Sequence, residues 1–326
     1  MNTNENKLFP VLLTPFDLKA KVDYDVLGRL IDFYLAAGAK GFFANCFSSE
    51  MYSLSEDERL ELAKYIVHRV KGRVPVLATG SFGLTIFDKA EFTRKIYAIG
   101  VDAVILITSH YANADESDNV LLQNFEKMLR LTDNIPMGLY ECPVPYKRIL
   151  KADVFKKLLA TDRIFYHKDA TVDPDVMKAK LEIAKEFPSL QIFESYTPNA
   201  LQSLNCGAKG ISSISGIFFP ELVAWLCNNA TNHDKTSKVH WLQEELTPVD
   251  ELIHDAYPMS AKYFLRRRGL PIRLISRAYA KELTAKQKQL LDEVYNKFIN
   301  WCATLHIEPV NVEEVLLPPG RLDPAF

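Results

Sequence analysis

The chain has 326 residues, a formal net charge of −2 and 48% hydrophobic residues. Such a chain can fill a sizeable core, and its near-neutral charge gives no electrostatic reason to expect a nucleic acid partner. The length exceeds that of most single β-sandwiches and suits a barrel with an appendage.

The sequence contains no apolar run of about 18 residues, so no membrane span is expected. The polar start also lacks the apolar region of a signal peptide. Five cysteines form no CxxC pair and are odd in number, which is typical of reduced thiols in a cytoplasmic protein. The seven histidines show no HExxH or paired spacing, so neither a metal site nor another cofactor is predicted.

Short apolar runs alternate with amphipathic stretches from Phe9 to about Ala230. Regular βα alternation favours a parallel sheet, and roughly eight units favour a closed (β/α)8 TIM barrel over a doubly wound open sheet. The predicted strands are Phe9 to Leu13, Gly41 to Asn45, Val74 to Ala78, Ala103 to Ile107, Pro136 to Leu139, Ile164 to His167, Leu190 to Phe193 and Gly210 to Ser213.

Two of the helices between these strands carry clear boundary residues. One is predicted from Asp23 to near Gly38, and the second follows the capping box formed by Ser55 and Glu58 and ends near Gly72. Both have apolar residues at helical spacing, which predicts that one face of each packs on the sheet.

Beyond Asn232 the strand pattern ends. Helices are predicted at Trp241 to Ile253, Met259 to Arg268 and Thr284 to Cys302, and an extended segment at Leu316 to Arg321. The sequence therefore predicts a barrel with the active site, residues 1–232, and a C-terminal helical extension, residues 233–326, which packs on the barrel or on a neighbouring subunit.

Lys168 ends the apolar run that starts at Ile164. An amine at the end of a buried strand lies at the edge of a low-dielectric core, where desolvation disfavours its charged form. Such a lysine can be neutral and nucleophilic near pH 7, as Schiff-base chemistry on a carbonyl requires. Taken alone, a surface lysine just past a strand is the commoner case, so the rest of the chain must support the assignment.

In a TIM barrel the catalytic groups lie at the C-terminal ends of the strands. A strand must end in something polar, but a lysine, a tyrosine and a serine pair on three strands of one barrel are harder to explain that way. The polar residues predicted to meet at this rim include Thr14, Ser48, Ser49, Tyr111, Tyr140, Glu141, Lys168, Glu194 and Ser212.

The residue types predict a mechanism. Neutral Lys168 would attack a ketone and form an iminium ion, which stabilises a carbanion on the adjacent carbon. The Tyr140 hydroxyl could pass protons during these steps, and Ser48 and Ser49 with nearby amides could hold a carboxylate. Taken alone, Tyr140 is equally typical of a packing residue and the two serines of turn formers. Glu50 is predicted to bond loop amides rather than substrate.

Several motifs together carry a family resemblance that covers essentially the whole chain. The motifs are Phe9 to Phe16, Cys46-Phe47-Ser48-Ser49-Glu50 in place of Gly-Thr-Thr-Gly-Glu, Tyr140-Glu141-Cys142-Pro143 in place of Tyr-Asn-x-Pro, His167-Lys168-Asp169-Ala170-Thr171 and Gly207-Ala208-Lys209-Gly210. The sequence resembles the dihydrodipicolinate synthase / N-acetylneuraminate lyase family of class I aldolases.

The resemblance implies Schiff-base formation by Lys168, proton shuttling by Tyr140 and 2-oxo acid carboxylate binding by the Ser48-Ser49 loop. It also implies a homotetramer built as a dimer of dimers, with a homodimer as the alternative. Tyr111 matches a tyrosine that many relatives insert into the neighbouring subunit's site.

Departures from the family pattern narrow the predicted substrate. Pro145 stands where the resemblance places an arginine that binds the aldehyde substrate's carboxylate in dihydrodipicolinate synthases, and Phe47 replaces a proton-relaying hydroxyl residue. Thr197 and Pro198 stand where sialic acid lyases have an Asp-Glu pair that binds sugar hydroxyls. The prediction is therefore an aldolase or dehydratase for another 2-oxo acid, such as a 2-keto-3-deoxy sugar acid. A non-catalytic oxoacid-binding or regulatory protein on the same fold is the alternative, because Phe47 alters the carboxylate loop.

Overall fold

The computed structural model describes residues 6–279 and 281–315, and its centre is one parallel sheet of eight strands. The order of the strands is β1-β8-β7-β6-β5-β4-β3-β2. Their bounds are β1 Lys7–Leu8, β2 Phe42–Ala44, β3 Val76–Thr79, β4 Ala103–Ile107, β5 Met137–Tyr140, β6 Ile164–Asp169, β7 Gln191–Glu194 and β8 Gly210–Ile211.

The sheet closes on itself between its first two strands. Val11, just past β1, pairs in parallel with Phe43 of β2. The Phe43 amide donates to the Pro10 carbonyl at 3.2 Å, and the Leu12 amide donates to the Phe43 carbonyl at 3.3 Å. The predicted (β/α)8 barrel is thereby confirmed, and the open doubly wound sheet is excluded.

The first strand was predicted at the wrong place. The prediction was Phe9 to Leu13, whereas regular pairing covers Lys7–Leu8. Pro10 has no amide hydrogen and cannot donate to a sheet ladder. Up to Phe9, whose amide donates to the Ile211 carbonyl at 2.9 Å, the chain pairs with β8, and after Pro10 it pairs with β2. The apolar run is therefore split between two neighbours.

Helices cover the outside of the barrel. The barrel helices are α1 Tyr24–Ala36, α2 Glu56–Val70, α3 Ile86–Ala98, α4 Asp118–Leu131, α5 Ala152–Leu159, α6 Pro174–Ala184, α7 Ala200–Asn205, α8 Ser215–Phe218 and α9 Pro220–Asn229. The predicted capping box is present, since the Ser55 hydroxyl accepts from the Glu58 amide and the Glu58 carboxylate accepts from the Ser55 amide. Within the described part of the chain, no helix is long and apolar enough to cross a membrane.

The C-terminal region is helical, as predicted. Its helices are α10 Thr236–His254, α11 Met259–Arg267, α12 Ala285–Leu305 and α13 Val312–Val315. They join the barrel through Phe219, whose ring centroid lies 5.3 Å from that of Phe264, 5.9 Å from that of Phe298 and 5.7 Å from that of Trp301. The division of the chain at residue 232 stays a prediction, and the predicted extended segment from residue 316 lies outside the described residues.

A buried ion pair fastens α11 to the loop after β2. The Glu50 carboxylate accepts from Lys262 Nζ at 2.7 Å, and both side chains are almost wholly buried. The same carboxylate accepts from the amides of Arg277 at 2.7 Å and Ala278 at 2.9 Å. Glu50 thus bonds loop amides, as expected from the sequence, and ties the loop to the C-terminal helices.

Replacing Lys262 with methionine removes the charge that compensates Glu50 while keeping most of the side-chain volume. We expect the variant to lose about 3–5 kcal/mol of the free energy of unfolding, because one buried charge is left unpaired. Urea unfolding followed by circular dichroism measures this loss. Lys185→Met is the control, since its pair with Glu182 is exposed and is expected to contribute less than about 1 kcal/mol. Equal losses in the two variants would contradict the assignment.

Candidate active site

Tyr140 and Lys168 lie side by side on the inner face of the barrel. They are register partners at the C-terminal ends of β5 and β6. Lys168 Nζ lies 5.0 Å from the centroid of the Tyr140 ring and 5.6 Å from that of Phe43. The space around the amine is lined by Phe9, Phe43, Leu77, Ile105, Tyr166, Phe193 and Ser212.

This apolar lining changes the acidity of Lys168. Burial lowers the pKa of its ammonium group from the ordinary 10.5 to about 8, and the nearby thiols of Cys46 and Cys142 only partly offset the effect. At pH 7 about one molecule in ten then carries a neutral amine, against about one in three thousand at the ordinary pKa. Among the described residues, no carboxylate forms a salt bridge with Lys168. The amine is therefore available as a nucleophile near neutral pH.

Tyr140 remains protonated at neutral pH. Burial raises the pKa of its hydroxyl well above the ordinary value, and the neighbouring Cys142 and Cys46 raise it further. Its ring meets Phe43 edge-on, with the centroids 5.6 Å apart. The side chain is only 6% exposed. The hydroxyl group can thus donate a proton to a group formed on Lys168 and recover it later.

Two of the hydroxyl residues predicted to touch substrate, Thr14 and Ser49, hold the loop after β2. Thr14 Oγ1 donates to the Ser49 carbonyl at 2.6 Å, and Ser49 Oγ donates to the Leu12 carbonyl at 2.7 Å. Ser49 Oγ also accepts from the Cys46 amide at 3.2 Å. Both hydroxyl groups are therefore engaged with the backbone, and they fix the position of Ser48.

Ser48 is the buried hydroxyl residue between the anchored positions Cys46 and Ser49. It lies beside the hydroxyl of Tyr257, whose pKa burial raises well above its usual value. The buried hydroxyl of Ser212 has no partner among the described residues. Of the predicted binding residues, Ser212 lines the space around Lys168, and Ser48 lies beside Tyr257.

Glu141 and Glu194 lie on the other side of the strands. Successive strand residues point to opposite faces, so each of these acids faces the helices rather than the barrel interior. The Glu141 carboxylate bonds the Leu150 amide at 2.8 Å and Lys180 at 2.5 Å. The Glu194 carboxylate accepts from Ser203 Oγ at 2.7 Å, and burial raises its pKa to about 7. Both residues were predicted to bind substrate. In the structure their carboxylates bond the Leu150 amide, Lys180 and Ser203 instead.

Tyr111 is buried within this chain. It is 1% exposed and stacks on Phe125 of α4, with the ring centroids 4.2 Å apart. A role in a neighbouring subunit's site would require this packing to change, and that role stays a prediction.

The structure places Tyr52 beside His110 at the rim of the barrel. The Tyr52 hydroxyl lies 3.0 Å from His110 Nε2 and donates to the Val144 carbonyl at 2.9 Å. His110 Nδ1 lies 2.6 Å from the Ser81 carbonyl, a contact that places the proton on Nδ1. Burial lowers the pKa of His110 to about 4, so the ring is neutral at pH 7. The sequence places His110 just past β4 and so at this rim, but its contact with Tyr52 depends on tertiary packing.

Three side chains of a type that can bind metal meet behind the inner face. Glu141, His167 and Asp169 offer ligand atoms within 4.8 Å of one another. Lys180 Nζ bonds two of them, Glu141 at 2.5 Å and Asp169 at 2.6 Å. The positive charge at this place is thus the lysine ammonium group.

The comparisons agree with the fold and the motifs. The model of the dihydrodipicolinate synthetase family matches residues 4–297. The 4-hydroxy-tetrahydrodipicolinate synthase of Pseudomonas putida is 30% identical over 79% of this chain and 87% of its own length. The synthase of Bacillus subtilis is 29% identical over 82% of this chain and 91% of its own length.

Solved structures show the same fold. YagE of E. coli K12, solved in complex with pyruvate, superimposes with a TM-score of 0.82 at 21% identity, over 90% of this chain and 98% of its own. The synthase of Acinetobacter baumannii, also complexed with pyruvate, gives a TM-score of 0.80 at 21% identity, over 90% of this chain and 98% of its own. With the family model matched over most of its length, the chain belongs to the dihydrodipicolinate synthetase family.

Proposed function

We propose that this protein is a class I lyase that forms a Schiff base between Lys168 and a 2-oxo acid. The observation that carries the proposal is the buried amine of Lys168, with a pKa of about 8, directly beside the protonated hydroxyl of Tyr140. Membership of the family and the pyruvate bound in two structures of the same fold support pyruvate, or an acid built from it, as the substrate.

The chemistry follows from these two groups. The neutral amine of Lys168 attacks the 2-oxo carbon, and Tyr140 passes a proton to the departing hydroxyl, which leaves as water. For cleavage, the C3–C4 bond of the bound acid then breaks: its electron pair passes to the iminium ion and gives an enamine, the C4 hydroxyl gives its proton to the Tyr140 oxygen, and C4 leaves as an aldehyde. Protonation of the enamine and hydrolysis of the imine release the product and restore the amine. Ser48 and Ser212 would hold the carboxylate.

In the part of the chain that the structure describes, the site offers no positive charge for a second carboxylate, which the aldehyde substrate of dihydrodipicolinate synthases carries. A sugar acid, which has hydroxyl groups in place of that carboxylate, fits such a site better. Pro145 offers no charge for a second carboxylate. Arg148, the nearest arginine in sequence, is committed elsewhere, since it donates to the Asn113 carbonyl at 2.9 Å and to Asp118 at 3.0 Å. We therefore propose that the substrate is a 2-keto-3-deoxy sugar acid, which is cleaved or dehydrated beside its carbonyl. The family resemblance supports a homotetramer or homodimer as the assembly.

Phe47 was the reason to consider a non-catalytic binder. Its side chain is 39% exposed and lines a surface pocket with Tyr52, Tyr257 and Tyr279. It is absent from the lining of the space around Lys168. No observation therefore favours the binder over the enzyme.

Incubation with pyruvate and borohydride tests the Schiff base. We expect peptide mass spectrometry to find reduced pyruvate on Lys168, because its neutral amine is the reactive one. Lys168→Met should abolish the adduct, while Lys151→Met, at an exposed lysine, should leave it unchanged. An adduct that is absent from the wild type, or present only on other lysines, would overturn the proposal. A panel of 2-keto-3-deoxy sugar acids, assayed for released pyruvate, then identifies the substrate.

Replacing Tyr140 with phenylalanine removes the proton donor and keeps the ring. We expect adduct formation to slow by about 10²–10⁴-fold, as for the loss of a general acid–base group. The rate of borohydride trapping against time measures the change. Tyr97→Phe, on the exposed side of α3, is the matched control and should trap at the wild-type rate. A similar rate for the Tyr140 variant would remove Tyr140 from the mechanism.

A further inference from the structure

Four charged or titratable side chains are buried directly behind Tyr140 and Lys168. We call Glu141, His167, Asp169 and Lys180 the acid–lysine cluster. Three come from the strand ends, and Lys180 comes from α6, which packs on them. All four are at most 1% exposed. Charges buried to this degree persist only where they are paired and hydrogen-bonded.

The cluster meets that condition. Lys180 Nζ donates to Glu141 Oε1 at 2.5 Å and to Asp169 Oδ2 at 2.6 Å, and His167 Nε2 lies 3.3 Å from Asp169 Oδ2. Although burial opposes its ionisation, Asp169 has a pKa well below the usual range, because His167 and Lys180 stabilise its charge. Burial likewise opposes the charge of Lys180, but the two carboxylates raise its pKa. Asp169 and Lys180 are therefore both charged at neutral pH.

The cluster is bonded to the backbone that carries the reacting groups. Glu141 follows Tyr140, and its amide donates to the Lys168 carbonyl at 3.4 Å. The Glu141 carboxylate accepts from the Ala170 amide at 3.3 Å, and Asp169 accepts from the Thr171 amide at 2.9 Å. The ends of β5 and β6 are thus linked to each other and, through Lys180, to α6.

We propose that Lys180 is a positioning residue, which holds the strand ends so that the Tyr140 hydroxyl and the Lys168 amine keep their relative placement. The proposal rests on the proposed function, since it concerns the rate of imine formation. Lys180 does not touch the space that a substrate would occupy, because it lies on the helix side of the strands. Its influence passes through Glu141 and Asp169, each one residue from a reacting group.

Lys180→Met tests the proposal. The variant leaves two neighbouring buried carboxylates without their shared cation, so the strand ends are expected to separate. We expect the rate of borohydride-trapped adduct formation at saturating pyruvate to fall about 10–100-fold, as for a small misplacement of reacting groups. The pyruvate concentration for half-maximal trapping should change much less, because the binding hydroxyls lie elsewhere. A residue that served stability alone would leave the rate per folded molecule unchanged.

A second variant guards against a loss of folding. Lys180→Met combined with Glu141→Gln removes one of the two carboxylate charges that Lys180→Met alone leaves unpaired. Circular dichroism measures the folded fraction of both variants. We expect the double variant to fold and still to trap slowly, because the link from α6 to the strands is missing. Lys185→Met, at an exposed position one residue past α6, is the matched control and should trap at the wild-type rate.

The outcomes separate the two proposals. If the wild type forms no adduct, the proposed function fails. If the wild type forms the adduct and both Lys180 variants trap at its rate, the positioning role fails and the proposed function stands. Loss of folded protein in both variants would assign the cluster to stability and would also overturn the positioning role.

Discussion

The alternation of side chains along β5 and β6 is the constraint on which the rest of the site depends. Because successive residues point to opposite faces, Tyr140 and Lys168 share the inner face of the barrel. Glu141 and Asp169, the next residues, must then enter the layer between strands and helices, where Lys180 pairs with both. Lys168 and Tyr140, the proposed nucleophile and proton donor, are separated from the ionic groups Glu141, Asp169 and Lys180 by one strand thickness.

This separation explains how a lysine beside so many acids can have a lowered pKa. A carboxylate near Lys168 would stabilise its ammonium form and raise the pKa. Glu141, Asp169 and Glu194 face away from Lys168. Their carboxylates bond Lys180, Ser203 and backbone amides. The amine instead meets aromatic rings and two thiols, so burial is the dominant influence on it.

Much of this arrangement could be predicted from the sequence, because hydrophobic runs and capping residues are local signals. The barrel, the capping box at Ser55 and the place of Lys168 followed from them. The sheet partner of β1 did not, because Pro10 divides an apolar run between two neighbours. Strand alternation places Glu141, the neighbour of Tyr140, on the outer side of the strand, whereas its polar character alone predicts a place on the rim. The proximity of Tyr257 to Ser48 depends on tertiary packing across some two hundred residues and leaves no local signal.

The barrel interior lowers the pKa of the Lys168 amine to about 8, so that about one molecule in ten carries a neutral amine at pH 7. The most direct measurement is a pH titration of the protein with ¹³C-labelled lysine, following the ε-carbon resonance of Lys168 by NMR and assigning it with Lys168→Arg. The structure predicts a midpoint near pH 8, more than two units below an ordinary lysine. A midpoint at or above about 10.4, the value of an unperturbed lysine, would contradict the account.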